Sequence, residues 1–268
     1  MKARRERLPQ LFLSDEYALF VGTVSDTSTH AHYAVQLTLT LGDSFEVRTD
    51  AGHEECGAAI VPSCEPHAVR ASAGRLFMLY LDPTAPLGGR VAASSKGPGV
   101  RTFGVEDVGD CRSDVERHLV TGWGQTDATV LVDRVVGALV PEIEKESTID
   151  PRVRQVLSIL DDEECGTWKL TEIADRVALS PDRLRHLFSE QLGIPIRSYK
   201  SWARLRRAIT LLVQGGSLTE VAHEANFVDA AHLSRTFRDM FGITLSELAK
   251  SEIEPVSYTH LTLPTITE

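Results

Sequence analysis

One short phrase occurs twice in this chain. Leu170-Thr171-Glu172-Ile173-Ala174 returns 48 residues later as Leu218-Thr219-Glu220-Val221-Ala222. Each copy is followed, at similar spacing, by a leucine, a phenylalanine four residues on, and a glycine. These are Leu184, Phe188 and Gly193 in the first copy and Leu233, Phe237 and Gly242 in the second. A phrase that repeats with its apolar spacing intact marks two copies of one supersecondary unit. The pattern within each copy predicts a short helix, a tight turn and a second helix. That is a helix-turn-helix, whose second helix lies in the major groove of DNA.

The first copy predicts a helix over Leu170 to Val177 and a turn at Ala178-Leu179. Ser180 stands where an N-cap is needed, and Pro181 takes the first helical position, where a missing N–H removes no bond. Leu184, Leu187 and Phe188 form the buried side of the second helix. Asp182, Arg185, His186 and Ser189 fall opposite, with Arg183 at the edge. The second copy predicts a helix from Leu218 to Ala225 and a turn one residue longer, Asn226-Phe227-Val228, with Asp229 as N-cap. Leu233, Phe237 and Phe241 point inward. Ala231, His232, Arg235 and either Arg238 or Asp239 point outward. Side chains so placed reach base edges or phosphates, and Arg185 and Arg235 suit guanine. Between the copies, Pro195 to Gln214 carries the apolar stripe Tyr199, Trp202, Leu205, Ile209 and Leu212 and stops at Gly215-Gly216, which predicts a rigid helical spacer.

The formal net charge of −10 runs against DNA binding, but its distribution matters more than its total. Residues 181–207 hold seven positive side chains, Arg204 among them, against two negative ones, a local excess of five. Acid gathers elsewhere, as in Asp161-Asp162-Glu163-Glu164. A basic stripe of this kind attracts phosphate, although a solvated helix face would carry the same charge.

Residues 150–250 resemble the DNA-binding domain of the AraC/XylS transcription regulators. The resemblance is carried by IADRVALSPDRLRHLFSEQLG at 173–193, RLRRAITLL at 204–212 and VAHEANFVDAAHLSRTFRDMFGITLSELA at 221–249. It implies two helix-turn-helix units joined by a long helix and reading one face of DNA. It also implies base-facing positions at Asp182, Arg185 and His186, then at Ala231, His232 and Arg235. The second unit departs from the family pattern: Asn226 stands where glycine is usual, Ala231 for serine, Leu233 for phenylalanine and Leu245 for proline. Asparagine is the next-best residue in a left-handed turn. The first copy is therefore expected to specify more of the DNA sequence than the second.

A length of 268 residues predicts about two domains, and 42% hydrophobic with 25% charged residues is a globular composition. Residues 9–104 read as β-rich. Gln36-Leu37-Thr38-Leu39-Thr40-Leu41 alternates as a half-buried strand does, and Leu76-Phe77-Met78-Leu79-Tyr80-Leu81 is a continuous apolar run that suits a strand buried on both faces. Asp127 to Val140 turns to helical spacing with Leu131, Val135, Ala138 and Leu139. So broad an apolar face must be covered by the β domain or by a second subunit, and this helix is expected to contribute to dimerisation. The expected fold is thus α+β: a sensing and dimerisation domain over 9–140, a charged linker over 141–149 and an all-α domain over 150–250. The tail 255–268 resembles the translation of a transposase sequencing-library adapter and is expected to be non-native.

His30, His32 and Gln36 share strand parity with Thr38 and Thr40, and His67 follows in Gly57-Ala58-Ala59-Ile60-Val61-Pro62-Ser63-Cys64-Glu65-Pro66-His67. This resembles the two-part cupin motif with glutamine in place of the acid, which implies a cupin-like β-barrel or sandwich. The residues leave three roles open: an effector pocket lined by His30, His32, Gln36 and His67, a divalent metal site, or polar structural histidines. The expected partners are double-stranded promoter DNA, a small-molecule effector, a second copy of the chain and, for an activator, RNA polymerase. No cofactor is expected. No run approaches the ~20 apolar residues of a membrane helix, the apolar start is too short for a signal peptide, and the four cysteines lack C-x-x-C spacing, so a cytoplasmic chain with reduced thiols is expected. The competing class is a metal-dependent cupin enzyme fused to a helical domain. The absence of a carboxylate at position 36, of a Ser-His-Asp or C-x-x-C signature and of a P-loop argues for a non-enzyme.

Overall fold

Strand-forming runs dominate the first half of the chain and helical periods the second, and the fold divides accordingly. The computed structural model describes residues 9–24, 26–71, 74–94, 99–121, 125–140, 149–161, 168–246 and 254–255. Among these, residues up to 145 with those from 245 onward form one compact unit, and residues 146–244 form another. No described helix is long and apolar enough to cross a membrane. The linker expected at 141–149 lies almost wholly outside the described residues, as do the tail beyond Pro255 and the acidic run at 162–164.

The N-terminal unit is built on two sheets. The larger joins β1 (Gln10–Leu13), β2 (Tyr17–Thr23), β3 (Val35–Thr40), β6 (Ala58–Val61), β8 (Arg75–Leu81), β9 (Arg101–Phe103) and β10 (Glu254–Pro255) in the order β10-β1-β2-β8-β3-β6-β9. Neighbours are antiparallel apart from β1 and β10. The smaller sheet orders β5 (Gly52–Cys56), β4 (Phe45–Thr49) and β7 (Ala68–Arg70) as β5-β4-β7. Phe45, Val47 and Val69 of the small sheet pack on Ala59, Leu76 and Met78 of the large one. The opposite face of the large sheet, with Leu19, Val21, Val35, Leu37, Leu39, Phe77 and Leu79, packs on α1 (Pro86–Ser94), α2 (Gly109–Thr121) and α3 (Gln125–Leu139).

Two expectations change here. β3 is buried along its whole length rather than on one face. Its even residues Gln36, Thr38 and Thr40 lie toward the small sheet and its odd residues toward the helices, so the alternation sorts two interiors and not core from water. The apolar face of α3, with Leu131, Val132, Val135, Val136 and Leu139, is covered by its own sheet and by α2. The dimerisation role expected from that face therefore loses its motive. Helix α1 went unnoticed because Gly88 and Gly89 interrupt its sequence; a Cβ on Gly88 would sit 1.9 Å from the Asp82 carbonyl oxygen.

The C-terminal unit is all helix: α4 (Pro151–Asp161), α5 (Leu170–Arg176), α6 (Pro181–Leu192), α7 (Ile196–Val213), α8 (Leu218–Glu224) and α9 (Ala230–Phe241). The repeated phrase now has a physical reading. In each copy the glutamate carboxylate accepts the backbone N–H three residues back, Lys169 to Glu172 at 2.8 Å and Ser217 to Glu220 at 3.2 Å. The next two residues, Ile173-Ala174 and Val221-Ala222, are buried. The alanine carbonyl then accepts the N–H of Leu179 or Phe227 and so closes the turn. Ser180 caps α6 by accepting from Arg183 N, and Asp229 caps α9 by accepting from His232 N at 2.6 Å. Gly193 and Gly242 end these helices in the left-handed conformation.

The turns differ at one chemically costly position. Asn226 has φ 58°, as a left-handed turn residue should, but Ala178 holds φ 52° without glycine's freedom or asparagine's tolerance. Ala178→Gly is expected to stabilise the chain by about 1 kcal/mol, because it removes the Cβ clash and returns part of the gain as backbone entropy. A raised urea midpoint at unchanged slope is the expected reading. An unchanged or lowered midpoint would contradict it.

Candidate functional site

Helices α6 and α9 present the outer faces of the two copies. On α6, Asp182, Arg183, Arg185 and His186 are all exposed, while Leu184, Leu187 and Phe188 are buried beneath them. Arg185 is paired with Asp182 one turn earlier, and His186 lies 3.9 Å from Glu190. Such exposed pairs are weak, so they yield readily to a phosphate or base. On α9, Ala231 and Arg235 are exposed. His232 is half-buried and meets the Phe227 ring edge-on at 5.4 Å. Its Nδ1 is buried without a hydrogen-bond partner among the described residues.

A second constellation lies between the sheets of the N-terminal unit. His30 and His67 face one another in an isolated antiparallel bridge, each N–H donating to the other's carbonyl at 2.9 Å. His32 is fixed by the Cys64 N–H on its carbonyl at 2.8 Å. Gln36 enters from β3, beside Tyr80 on β8. The four side chains are buried, with relative exposures of 6% for His30, 3% for His32 and 0% for both Gln36 and His67. One ring nitrogen from each histidine lies within 4.8 Å of the others. The Gln36 Oε1 is 2.9 Å from His32 Nε2 and 3.1 Å from His67 Nε2, and its Nε2 donates to Thr38 Oγ1 at 2.8 Å. Burial, which penalises the charged imidazolium, holds His67 down to about 3 and His30 to about 4 and lowers His32 as well. The parity that linked His30, His32 and Gln36 reaches the right grouping by a different route. The chain bends at Tyr33-Ala34, so the residues meet around a corner and not along a strand.

Comparison with known proteins agrees with the helical geometry. Residues 173–251 match the family described as a helix-turn-helix domain. The arabinose operon regulatory protein of Escherichia coli K12 is 33% identical over 101 residues, 37% of this chain and 35% of that protein. The HTH-type transcriptional activator RhaS of Escherichia fergusonii is 31% identical over 109 residues, 40% of this chain and 38% of that protein. The C-terminal region carries an AraC-family helix-turn-helix DNA-binding domain. The match spans little more than a third of these curated relatives. Over a longer stretch, a structure of apo ToxT from Vibrio cholerae superposes with a TM-score of 0.62 at 12% identity, covering 89% of this chain and 98% of that one. That likeness concerns the fold: an antiparallel sheet domain followed by helices.

Within the AraC-type domain the basic stripe is smaller than its sequence. Arg204 does not stand with the other candidates. Its guanidinium donates to the carbonyls of Lys200 and Asn226 and to Ser201 Oγ, and it lies 5.2 Å over the Phe227 ring. It braces the second turn against α7. Arg206 pairs with Asp161 at 2.8 Å, and Lys200 donates to the Trp168 carbonyl. Arg183, Arg185 and Arg197 are the exposed cations of the stretch. The sequence reading missed Val228, which is 86% exposed at the leading end of α9. An apolar residue just before an N-cap ordinarily packs back on its helix, and Val228 does not.

Proposed function

We propose that the protein is a sequence-specific transcription regulator that binds promoter DNA through α6 and α9 and takes up a small ligand in its N-terminal unit. The observation that carries this reading is the pair of equivalently capped helix-turn-helix units with Arg185 and Arg235 exposed on their outer faces. Asp182, Arg183, Arg185 and His186 are assigned to the first half of the DNA site, and Ala231, His232 and Arg235 to the second. Val228 adds an apolar surface suited to a thymine methyl group. The α7 helix of 18 residues is about 27 Å long and holds the two readers apart.

The relatives support control of transcription by their names, and a ToxT structure of the same fold holds an unsaturated fatty acid. Ligand control is assigned to the interior that contains His30, His32, Gln36 and His67, whose occupancy would shift the population of DNA-competent forms. Gel retardation with the duplex beside the protein's own gene tests the reading. A retarded complex that survives excess scrambled duplex is expected. Retardation equal on both duplexes, or none, would contradict it.

A further inference from the structure

We propose that Val228 makes the second unit a reader of methyl groups: it selects thymine at one base pair by the 5-methyl group in the major groove, and accepts 5-methylcytosine there for the same reason. This deepens the regulator reading above and rests on it.

The position arises from one inserted residue. The first helices of the two copies are offset by 48 residues, as from Ala174 to Ala222. The second helices are offset by 49, as from Leu184 to Leu233 and Phe188 to Phe237. In each turn one N–H closes onto the alanine carbonyl, from Leu179 at 3.0 Å and from Phe227 at 2.8 Å. The cap follows at once in the first copy, at Ser180. In the second copy Val228 intervenes before Asp229. Phe227 takes the inward place and is buried, which leaves the extra residue outside at 86% exposure. The residue just before a cap commonly packs on the fourth helical residue. That residue, Leu233, is fully buried, so other side chains cover it.

A single apolar side chain on a surface is ordinary. Val228 is set apart by its degree of exposure, its rigid seat and its place. The other exposed large apolar residues among those described are Val130 at 46% and Leu218 at 37%. On one flank, Asn226 holds φ 58° and its carbonyl accepts Arg204 Nη1 at 3.1 Å. The Phe227 ring meets the Arg204 guanidinium at 5.2 Å and the His232 ring at 5.4 Å. On the other flank, the Asp229 carboxylate accepts His232 N at 2.6 Å. A side chain held on both flanks loses little further freedom on binding.

Its place is the leading end of α9, and the N-terminal residues of such a helix are those that meet base edges. The chemistry of that end is apolar. Val228, Ala230 and Ala231 offer methyl contacts and no side-chain hydrogen bond, and the Asp229 carboxylate is engaged with the helix. The apolar group that an unmodified base pair presents in the major groove is the thymine methyl. Cytosine lacks it unless methylated at C5.

The test uses the full chain and the duplex beside its own gene, read by fluorescence anisotropy. Each thymine is replaced singly by deoxyuridine, which removes the methyl and keeps every hydrogen-bonding group. The wild type should lose about fourfold in affinity at one thymine, the ratio for one buried methyl group. Val228→Ala should largely erase that difference, and Val228→Ile should keep it. Cytosine at the same position should weaken wild-type binding, and 5-methylcytosine should recover part of the loss. Val228→Ala should leave the urea midpoint unchanged, which separates a lost contact from a lost fold. A specific complex in which no thymine responds to deoxyuridine, or in which Val228→Ala responds as the wild type does, overturns the methyl contact and leaves the regulator reading standing. Absence of any sequence-specific complex contradicts both.

Discussion

Arg185→Ala and Arg235→Ala are each expected to cost about 1–3 kcal/mol of binding to the promoter duplex, a loss of roughly five- to 150-fold. Both guanidinium groups are exposed on the outer face of the second helix of their unit, and neither holds the fold together. Arg185 pairs with Asp182 on its own helix, and Arg235 has no ion-pair partner among the described residues. The two sit on separate helices without shared partners, so their losses should add. Fluorescence anisotropy on the promoter duplex and on single-base variants of it measures both affinity and specificity. Arg185→Ala should lose discrimination at one base pair and keep it elsewhere. If all duplexes weaken equally, Arg185 is a phosphate contact. If none weakens, neither helix faces DNA.

Phe188→Ala is expected to destabilise the C-terminal unit by about 3–5 kcal/mol, the ordinary loss for emptying a buried phenylalanine site. Phe188 has 0% exposure and meets Tyr199 edge-on at 5.8 Å, and Tyr199 in turn donates to the Asp161 carboxylate at 3.2 Å. One substitution therefore loosens α6, α7 and α4 together. Against a typical total of 5–15 kcal/mol this is a large fraction, and DNA affinity should fall with it. Urea unfolding distinguishes this from the arginine variants. Phe188→Ala should lower the midpoint strongly, whereas Arg185→Ala should leave it within error. A loss below about 1 kcal/mol for Phe188→Ala would mean that the repeated phenylalanines are not the keystones that their spacing implies.

The helical half was legible in detail because each of its signals is local. Ser180, Pro181, Asp229 and the two terminal glycines act within one helical turn of their own position, so sequence spacing alone finds them. Arg204 was not legible, because its partners include Asn226, 22 residues away, and a formal charge does not say where its donors go. The sheet half was legible in kind only. Alternation in Gln36–Leu41 correctly separated two faces but could not reveal that both are covered, since that depends on the three-stranded sheet and the helices packed on opposite sides. The histidines were grouped by spacing. That their Nδ1 atoms all meet backbone carbonyls depends on the local backbone course at Ser28, Ala34 and Glu65 and has no signature in the residue string.

We propose that the two unequal units read one stretch of DNA from one side. Hydroxyl-radical footprinting of the bound promoter duplex measures this directly. Two protected patches on one face, with centres about one helical turn or 34–36 Å apart, are the predicted result, and the Arg185→Ala protein should fade one patch before the other. A single protected patch with wild-type protein, or patches on opposite faces of the duplex, would contradict the bipartite reader.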